Sequence, residues 1–308
     1  MKEKVLIIKP GYCEVLTNES GKTTSLGDVL RSTAILHLYK DSSVSWVTDE
    51  AAIPLLGGNP YIDRIFPFNL TTVLQLQAEK FDVVINLEKV PGICAFSDSL
   101  KGWRRYGFRF DSETGTAKSY DGSQHVLEIC FSEEGKRTNQ RCWEEFVFEM
   151  VGSKWQGEMP VLGYKPESQE IFDVGFNHLV GAKWPTKAWP LESWKQLESL
   201  IGNDLSVSWQ EGIDSIEKYI EWINSCRTVV TNDSLGLHIA HALSKKIIAL
   251  FGPTSPNEVY VKDGIKIIPN IIPPCMPCFS NKCRMNKESC MHDIDPKTVF
   301  RELKAISR

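Results

Sequence analysis

The residues best suited to chemistry form one run that begins where a predicted strand ends. Asn232, Asp233 and Ser234 follow the β-branched residues 228–231, and His238 lies one helical turn beyond Ser234. Short polar side chains in this position cap the next helix, whose free first-turn amides and dipole attract anions. The run therefore predicts a diphosphate site in which Ser234 supplies a hydroxyl donor. The alternative is that Asp233 or Ser234 only caps the helix and that His238 is a packed core residue.

The predicted secondary structure places this run at the carboxyl end of a parallel sheet. Apolar stretches of strand length alternate with amphipathic helical stretches in both halves of the chain, and this order implies parallel pairing. The expected strands cover residues 5–9, 44–47, 64–66, 83–87, 171–177, 205–208, 228–231 and 246–251. The expected helices cover residues 27–39, 51–56, 70–79, 191–201, 213–224, 235–243 and 295–307. The sequence thus predicts an α/β protein with two doubly wound domains.

The predicted domains are 1–152 and 153–308. Residues 101–136 are polar and Gly-rich, and residues 141–151 are expected to form a helix that crosses between the domains. In doubly wound domains the ligand loops follow the carboxyl ends of the strands. The two Rossmann-like domains are therefore expected to face a central cleft.

Composition and charge exclude several classes of protein. The chain has 308 residues, of which 42% are hydrophobic and 24% charged, and this usage is typical of a folded globular protein. A net charge of -4 disfavours a generally basic surface, so no nucleic-acid partner is expected. No apolar run approaches the roughly 18 to 20 residues of a membrane span, and the first apolar run stops at Pro10 without a cleavage site. We expect a cytoplasmic protein with at most peripheral membrane contact.

Four motifs resemble glycosyltransferase family 9, the heptosyltransferase type. The runs TNDSLGLHIAHAL (231–243) and FGPTSP (251–256) are similar to the family's sugar-nucleotide motif, SLGDVL (25–30) to its Leu-Gly-Asp motif, and KAWP (187–190) to its Lys-x-Trp-Pro. The resemblance implies a GT-B fold in which the first domain binds the acceptor and the second binds the donor. It also implies inverting transfer of a heptose from ADP-heptose, usually to the inner core of lipopolysaccharide.

The resemblance assigns catalytic roles to Asp28 and Lys187. Asp28 would be the general base that removes the proton of the attacking sugar hydroxyl, whereas its alternative role is to compensate the helix dipole. Lys187 would stabilise the nucleoside diphosphate leaving group. Lys183 lies in a similar Lys-Trp-Pro run and competes for that role, and either lysine could be a solvated surface residue. Because a lysine and helix amides serve where other glycosyltransferases use a divalent cation, no catalytic metal is expected.

The resemblance and the predicted loops also give a set of binding residues. Two departures from the family are that Leu235 stands in the place of the motif glycine, with Gly236 one position later, and that residues 12–24 form an inserted loop. Trp209 follows a strand and could meet the nucleotide or pack between the domains, and the basic, aromatic run 101–110 could meet an acceptor phosphate or form a solvated hairpin. The expected donor-binding residues are Asp233, Ser234, Gly236, His238, Trp209, Glu211, Gly252 and Thr254, and the expected acceptor-binding residues are Arg104 and Arg105.

Four of the nine cysteines lie in the segment 273–291. Thiols at this spacing in a reducing compartment suit a tetrahedral structural zinc or iron site, and similar segments occur in some family members. We expect this site to lie away from the cleft motifs and the other cysteines to be unpaired. The expected metal ligands are Cys275, Cys278, Cys283 and Cys290.

The function predicted from the sequence is transfer of a heptose from a nucleotide sugar to a hydroxyl acceptor. The inserted loop leaves a glycan, a lipid-linked molecule, a protein and a small metabolite open as acceptors. The alternatives are a transferase for another nucleotide sugar, or a non-catalytic module that binds a sugar nucleotide or a carbohydrate. An oligomer is compatible with each of them.

Overall fold

The computed structural model describes residues 2–12, 23–285 and 289–306, and the chain divides into two compact units, Met1–Tyr164 and Lys165–Arg308. This division lies later than the predicted boundary at 152/153, because the chain beyond residue 152 still packs on the first unit. The Val161 amide donates to Thr33 Oγ1 at 2.8 Å, and Asn59 Nδ2 donates to the Val161 carbonyl at 2.9 Å. Each unit is an α/β domain with a mainly parallel sheet, as predicted.

The first unit is built on a six-stranded sheet in the order β3-β2-β1-β4-β5-β6. All of its pairs are parallel except β5 with β6. Val5 and Ile7 pack into one apolar cluster and Leu6 and Ile8 into another, so both faces of the sheet are covered. Strand order reverses between β1 and β4, where sheets of this kind bind ligands. The strands are β1 (Lys4–Ile8), β2 (Ser43–Thr48), β3 (Arg64–Pro67), β4 (Lys80–Asn86), β5 (Lys101–Asp111) and β6 (Thr116–Ser119).

The helices of the first unit include the one predicted over 141–151. This helix is α7, which buries Phe146, Val147 and Met150 in the core of the first unit. The predicted helix over 27–39 is α1 followed by a 3-10 helix, Thr33–Leu38. The α-helices are α1 (Leu26–Ser32), α2 (Ile53–Leu56), α3 (Leu70–Ala78), α4 (Pro91–Ser99), α5 (Gln124–Phe131), α6 (Glu133–Thr138) and α7 (Trp143–Met150), and a 3-10 helix covers Glu50–Ala52.

The polar segment 101–136 contains regular structure that the sequence pattern concealed. Its first part is β5, an eleven-residue strand that pairs with β4 on one side and β6 on the other. Phe108 is buried in this strand, whereas Trp103 and Arg109 are exposed. Because several exposed positions of β5 carry charged side chains, the continuous apolar run typical of the central strands is absent here.

The second unit has five parallel strands in the order β11-β10-β9-β7-β8. Strand order reverses between β7 and β9, so their carboxyl ends form the ligand-binding edge of this sheet. The closing helix is confirmed, with Pro296 at its first position. The elements are β7 (Phe172–Asn177), β8 (Val207–Trp209), β9 (Cys226–Asn232), β10 (Lys246–Leu250), β11 (Ile265–Ile267), α8 (Leu191–Ile201), α9 (Ile216–Asn224), α10 (Leu235–Ala242) and α11 (Pro296–Ile306), with 3-10 helices at Pro185–Lys187, Pro256–Glu258 and Cys290–Asp293.

The helices of both units are short. Within the described ranges, none combines the length and the apolar character that crossing a membrane requires.

Candidate functional site

A buried lysine joins two carboxylates at the switch point of the first sheet. Lys9 follows β1 directly, and Glu88 lies just beyond β4, so both stand at the carboxyl ends of the neighbouring strands where strand order reverses. Lys9 Nζ forms an ion pair with Asp28 Oδ2 and lies 3.2 Å from Glu88 Oε1. Lys9 and Glu88 are fully buried, and Asp28 is only 8% exposed. The fold therefore brings the predicted base, Asp28, to the ligand-binding edge of this sheet.

The carboxylate of Asp28 is held by two cations. Arg31 donates to Asp28 Oδ1 from Nε at 3.0 Å and from Nη2 at 2.8 Å, while Lys9 occupies Oδ2. Burial alone would raise the pKa of Asp28, but the charges of Lys9 and Arg31 outweigh it and hold that pKa well below its usual range. The hydrogen bonds of this side chain thus go to two basic residues rather than to the first-turn amides of α1. A carboxylate has about four lone-pair positions, and these contacts among the described residues use three of them.

An aromatic side chain and a further acid complete this cluster. The Trp143 ring lies 5.4 Å from Lys9 Nζ and 5.5 Å from the Arg31 guanidinium carbon, measured to the ring centroid. Glu144 is buried on the same helix, and burial raises the pKa of its carboxyl. Sequence reasoning missed Lys9, Glu88 and this part of α7. The one local signal was a lysine placed directly after a fully apolar strand.

A second buried ion pair lies at the carboxyl edge of the second sheet. Lys187 Nζ is 2.8 Å from Asp233 Oδ2, and Thr254 Oγ1 donates to the same oxygen at 2.7 Å. These residues follow β7, β9 and β10 respectively. Burial would raise the pKa of Asp233, but Lys187 and then His238 lower it to about 2. Lys187 is 8% exposed, so it is not a solvated surface lysine, and it is Lys187 rather than the half-buried Lys183 that pairs with Asp233.

Ser234 occupies the N-cap position of α10 without acting as a cap. It has extended backbone angles, and within the described residues its hydroxyl accepts no hydrogen bond from the first turn. Instead, Ser234 Oγ accepts a hydrogen bond from Asn177 Nδ2 at 2.8 Å. The interpretation that Ser234 only caps the helix is therefore wrong, while His238 is buried one turn further on.

The surroundings of Gly236 explain why the glycine of this motif stands at position 236 and not at 235. A Cβ atom at this position would overlap the side-chain amide of Asn177 and the hydroxyl of Tyr219. At position 235 the chain carries a leucine, and the glycine falls where α10 passes closest to those two polar groups. The glycine one place later is thus required by packing against β7 and α9.

The loop after β10 carries the expected donor residues Gly252 and Thr254, and the cysteine-rich segment packs directly against it. The Pro253 carbonyl accepts hydrogen bonds from the amides of Cys278 at 3.0 Å and Phe279 at 2.8 Å. A Cβ on Gly252 would crowd the Cys290 sulfur at 2.8 Å. The expectation that this segment lies away from the motifs is therefore wrong, since it braces the loop that holds Thr254.

The cysteines of this segment influence one another electrostatically. Burial, and after it the charges of Cys278, Cys283 and Cys275, raise the pKa of Cys290 to about 11. In the part of the chain that the structure describes, no group of three or more His, Cys, Asp or Glu side chains has an arrangement that could hold a metal ion. The described cysteines are free thiols, and Cys13 lies outside the described residues. The four thiols are thus near one another without converging on one point.

Trp209 and Glu211 differ in their surroundings. Trp209 Nε1 donates to Glu198 Oε1 at 2.7 Å, and its ring meets those of Phe176 and His178 edge-on at centroid distances of 5.1 Å. These contacts give Trp209 a packing role within the second unit. Glu211 is exposed, in the loop after β8.

The two arginines expected to bind an acceptor phosphate have protein partners. Arg104 pairs with Glu3, and Arg105 donates to the Ser97 carbonyl at 2.7 Å and to the Leu100 carbonyl. Arg105 therefore satisfies carbonyl groups at the end of α4, as a basic residue at a helix C-terminus commonly does. These contacts favour a structural role over phosphate binding.

The inserted loop 12–24 lies mostly outside the described residues, which resume at Thr23. Tyr12 at its start donates from its hydroxyl to Asp49 Oδ2 at 2.5 Å, and its amide donates to Glu88 Oε1 at 3.2 Å. The Gly11 amide donates to the same Glu88 oxygen at 2.7 Å. The base of the loop is therefore fixed by the carboxylate that also holds Lys9.

Comparisons with known proteins agree with the motifs. The profile of glycosyltransferase family 9 (heptosyltransferase) matches residues 214–288. Lipooligosaccharide heptosyltransferase 2 of Campylobacter jejuni is 30% identical over 95 residues, which are 30% of this chain and 30% of that protein. In each curated relative the matched part is about a third of its length or less.

Solved structures match over nearly the whole chain. E. coli heptosyltransferase WaaC with ADP-2-deoxy-2-fluoro heptose has a TM-score of 0.62 and 16% identity, covering 98% of this chain and 99% of that one. The iron-containing dodecameric heptosyltransferase TibC of enterotoxigenic E. coli, in complex with ADP-D-beta-D-heptose, has a TM-score of 0.59 and 11% identity, covering 100% of this chain and 77% of that one. At such identities the likeness establishes the GT-B fold with two Rossmann-like domains. The family 9 profile and the curated heptosyltransferases match only the part of the chain that carries the motifs, and there the chain is similar to heptosyltransferases.

Proposed function

We propose that the chain is an inverting glycosyltransferase that transfers a heptose from ADP-heptose to a hydroxyl of lipopolysaccharide core. The observation that carries this proposal is the buried Lys187–Asp233 pair with Thr254, beside Ser234 and the first turn of α10. A lysine, a hydroxyl and a helix N-terminus on one sheet edge form a site for a diphosphate. Solved heptosyltransferases of the same fold are complexes with ADP-2-deoxy-2-fluoro heptose or with ADP-D-beta-D-heptose.

The donor half of the reaction depends on stabilising the departing nucleoside diphosphate. As the anomeric carbon–oxygen bond breaks, negative charge grows on the phosphate oxygen, and Lys187 with the α10 amides can take up this charge. Asp233 holds the lysine in place before the donor binds, and Thr254 fixes the orientation of the Asp233 carboxylate by donating to it. We therefore assign Lys187, Ser234, Gly236, His238 and the loop of Thr254 to the donor, without a catalytic metal.

The acceptor half depends on Asp28. The attacking hydroxyl becomes acidic as its oxygen bonds to the anomeric carbon, and a carboxylate placed beside it accepts the proton. Lys9 and Arg31 keep Asp28 ionised and fixed in orientation. Direct displacement then inverts the anomeric centre. A lipid-linked core and a protein are both acceptors with such hydroxyls, and we take the cytoplasm, where nucleotide sugars and free thiols are found, as the location.

A nucleotide panel tests the donor assignment. We expect ADP, at about 100 times its dissociation constant, to stabilise the protein by roughly 2.7 kcal/mol, which thermal unfolding detects as a shift of a few degrees. GDP, UDP and dTDP at the same concentration are the comparison. Preference for another nucleotide would replace heptose with a different sugar. Binding without slow release of nucleoside diphosphate from the sugar nucleotide would indicate a binding module.

We also propose that Cys275, Cys278, Cys283 and Cys290 hold a structural zinc or iron ion. Their spacing, their mutual effect on thiol pKa and the iron of the related TibC support this proposal. The thiols would have to move together and lose their protons on binding. We expect close to one zinc or iron per chain by elemental analysis of protein purified without chelator. A Cys283→Ser, Cys290→Ser variant should lose it, whereas the control Cys130→Ser should keep it; metal-free wild type would refute the proposal.

A further inference from the structure

Behind the first turn of α10 lies a buried set of polar side chains that the proposed function does not use. Asn177 ends β7 and is fully buried, and Tyr219 of α9 is 3% exposed. Tyr219 donates from its hydroxyl to Asn177 Oδ1 at 2.5 Å. Asn177 Nδ2 in turn lies 2.6 Å from Thr231 Oγ1 and 2.8 Å from Ser234 Oγ. Buried polar groups of this kind are costly unless each is satisfied.

The direction of these hydrogen bonds is fixed by the backbone. The Thr231 hydroxyl donates to the Asn232 carbonyl at 2.7 Å, so its oxygen must accept from Asn177 Nδ2. Nδ2 of Asn177, rather than Oδ1, must therefore face Thr231. Tyr219 fixes the opposite end of the amide by donating to Oδ1. The second hydrogen of Nδ2 is therefore directed at Ser234 Oγ.

These hydrogen bonds limit the acceptors to which the Ser234 hydroxyl can donate. Because Asn177 presents an N–H to Ser234 Oγ, Ser234 cannot donate its own hydrogen to Asn177. The Tyr219 hydroxyl also lies within hydrogen-bond reach of Ser234 and of the Gly236 amide, so the serine is held from two sides. An anionic phosphate oxygen is a stronger acceptor than a phenol oxygen and takes the serine hydrogen when it binds.

We propose that Asn177 and Tyr219 are positioning residues for the diphosphate site, which hold Ser234 so that its hydroxyl donates to the donor's phosphate. This inference rests on the proposed function, since it requires a nucleoside diphosphate at α10. It also accounts for Gly236, because any side chain there would displace Asn177 and Tyr219 from Ser234.

A double-mutant cycle with ADP as the probe tests this inference by titration calorimetry. Ser234→Ala should weaken ADP binding about tenfold to a hundredfold, as expected for loss of a hydrogen bond to a charged group. Tyr219→Phe removes one hydroxyl and should weaken ADP binding about five- to tenfold. In the Ser234→Ala background Tyr219→Phe should have no further effect, because its influence passes through that serine.

The matched control is Ser225→Ala, which removes another buried hydroxyl near α9, one that donates to the Trp222 carbonyl at 2.7 Å. It should lower the free energy of unfolding while leaving ADP affinity unchanged. The inference is overturned if Tyr219→Phe leaves affinity unchanged, or weakens it equally with and without Ser234. Wild-type protein that binds no nucleoside diphosphate would overturn the proposed function and this inference together, a result distinct from either of those.

Discussion

Replacing Asp28 with asparagine is expected to reduce heptosyl transfer by about 10² to 10⁴, while ADP still binds. The amide keeps the size and one oxygen of the carboxylate but cannot accept the proton of the attacking hydroxyl. Lys9 keeps Glu88 Oε1 as a partner at 3.2 Å, so the buried ammonium is not left without a carboxylate. Initial rates of transfer, with ADP affinity measured alongside, check this expectation.

The control for Asp28→Asn is Glu144→Gln, another carboxyl-to-amide change in the same buried region. Glu144 has no part in the proposed proton transfer, so this variant should retain most of the transfer rate. The pH profile gives a second check. Because the pKa of Asp28 is held well below its usual range, wild-type transfer should not decline from protonation of this group between about pH 8 and about pH 5. An Asp28→Asn variant with near-normal turnover would refute the assignment of the base.

The convergence of the donor residues was predictable because the motifs that resemble family 9 name the residues, and parallel pairing brings the loops that carry them to one edge of a sheet. Once β7, β9 and β10 are recognised as neighbouring parallel strands, the residues that follow each must meet at one edge. This is where Lys187, Asp233 and Thr254 are found. This argument required no knowledge of side-chain packing, and the resemblance of the motifs supplied the individual residues.

The surroundings of Asp28 were not predictable in the same way. Lys9 and Glu88 meet because β1 and β4 are adjacent, and local periodicity does not fix which strands of a sheet are neighbours. Residue type alone also predicts exposure for lysine and glutamate, which are rarely fully buried unless they are paired, as Lys9 and Glu88 are here. The position of Gly236 was unexplained for a related reason, because its partners Asn177 and Tyr219 are distant in sequence.

Replacing Lys187 with methionine is expected to affect both stability and function. Removing one partner of a buried ion pair typically lowers the free energy of unfolding by about 3 to 5 kcal/mol, because Asp233 is then left as an uncompensated buried charge. The loss of the cation should also weaken ADP binding and slow departure of the diphosphate. Chemical denaturation, ADP titration and transfer rates measure these effects separately.

The double variant Lys187→Met, Asp233→Asn separates the two effects of losing the lysine. It removes the orphaned charge, so stability should largely return while transfer stays impaired. The pH dependence of the free energy of unfolding gives an independent check. In wild type the pKa of Asp233 is lowered to about 2, so the pair contributes stability above the unfolded pKa of about 3.9 and loses it as pH falls through about 2. Without Lys187, burial raises the pKa of Asp233. The difference in free energy of unfolding between wild type and Lys187→Met should therefore be smaller at pH ~5 than at pH ~8. If the double variant recovered transfer as well as stability, Lys187 would be a structural residue and the leaving-group role would have to be assigned elsewhere.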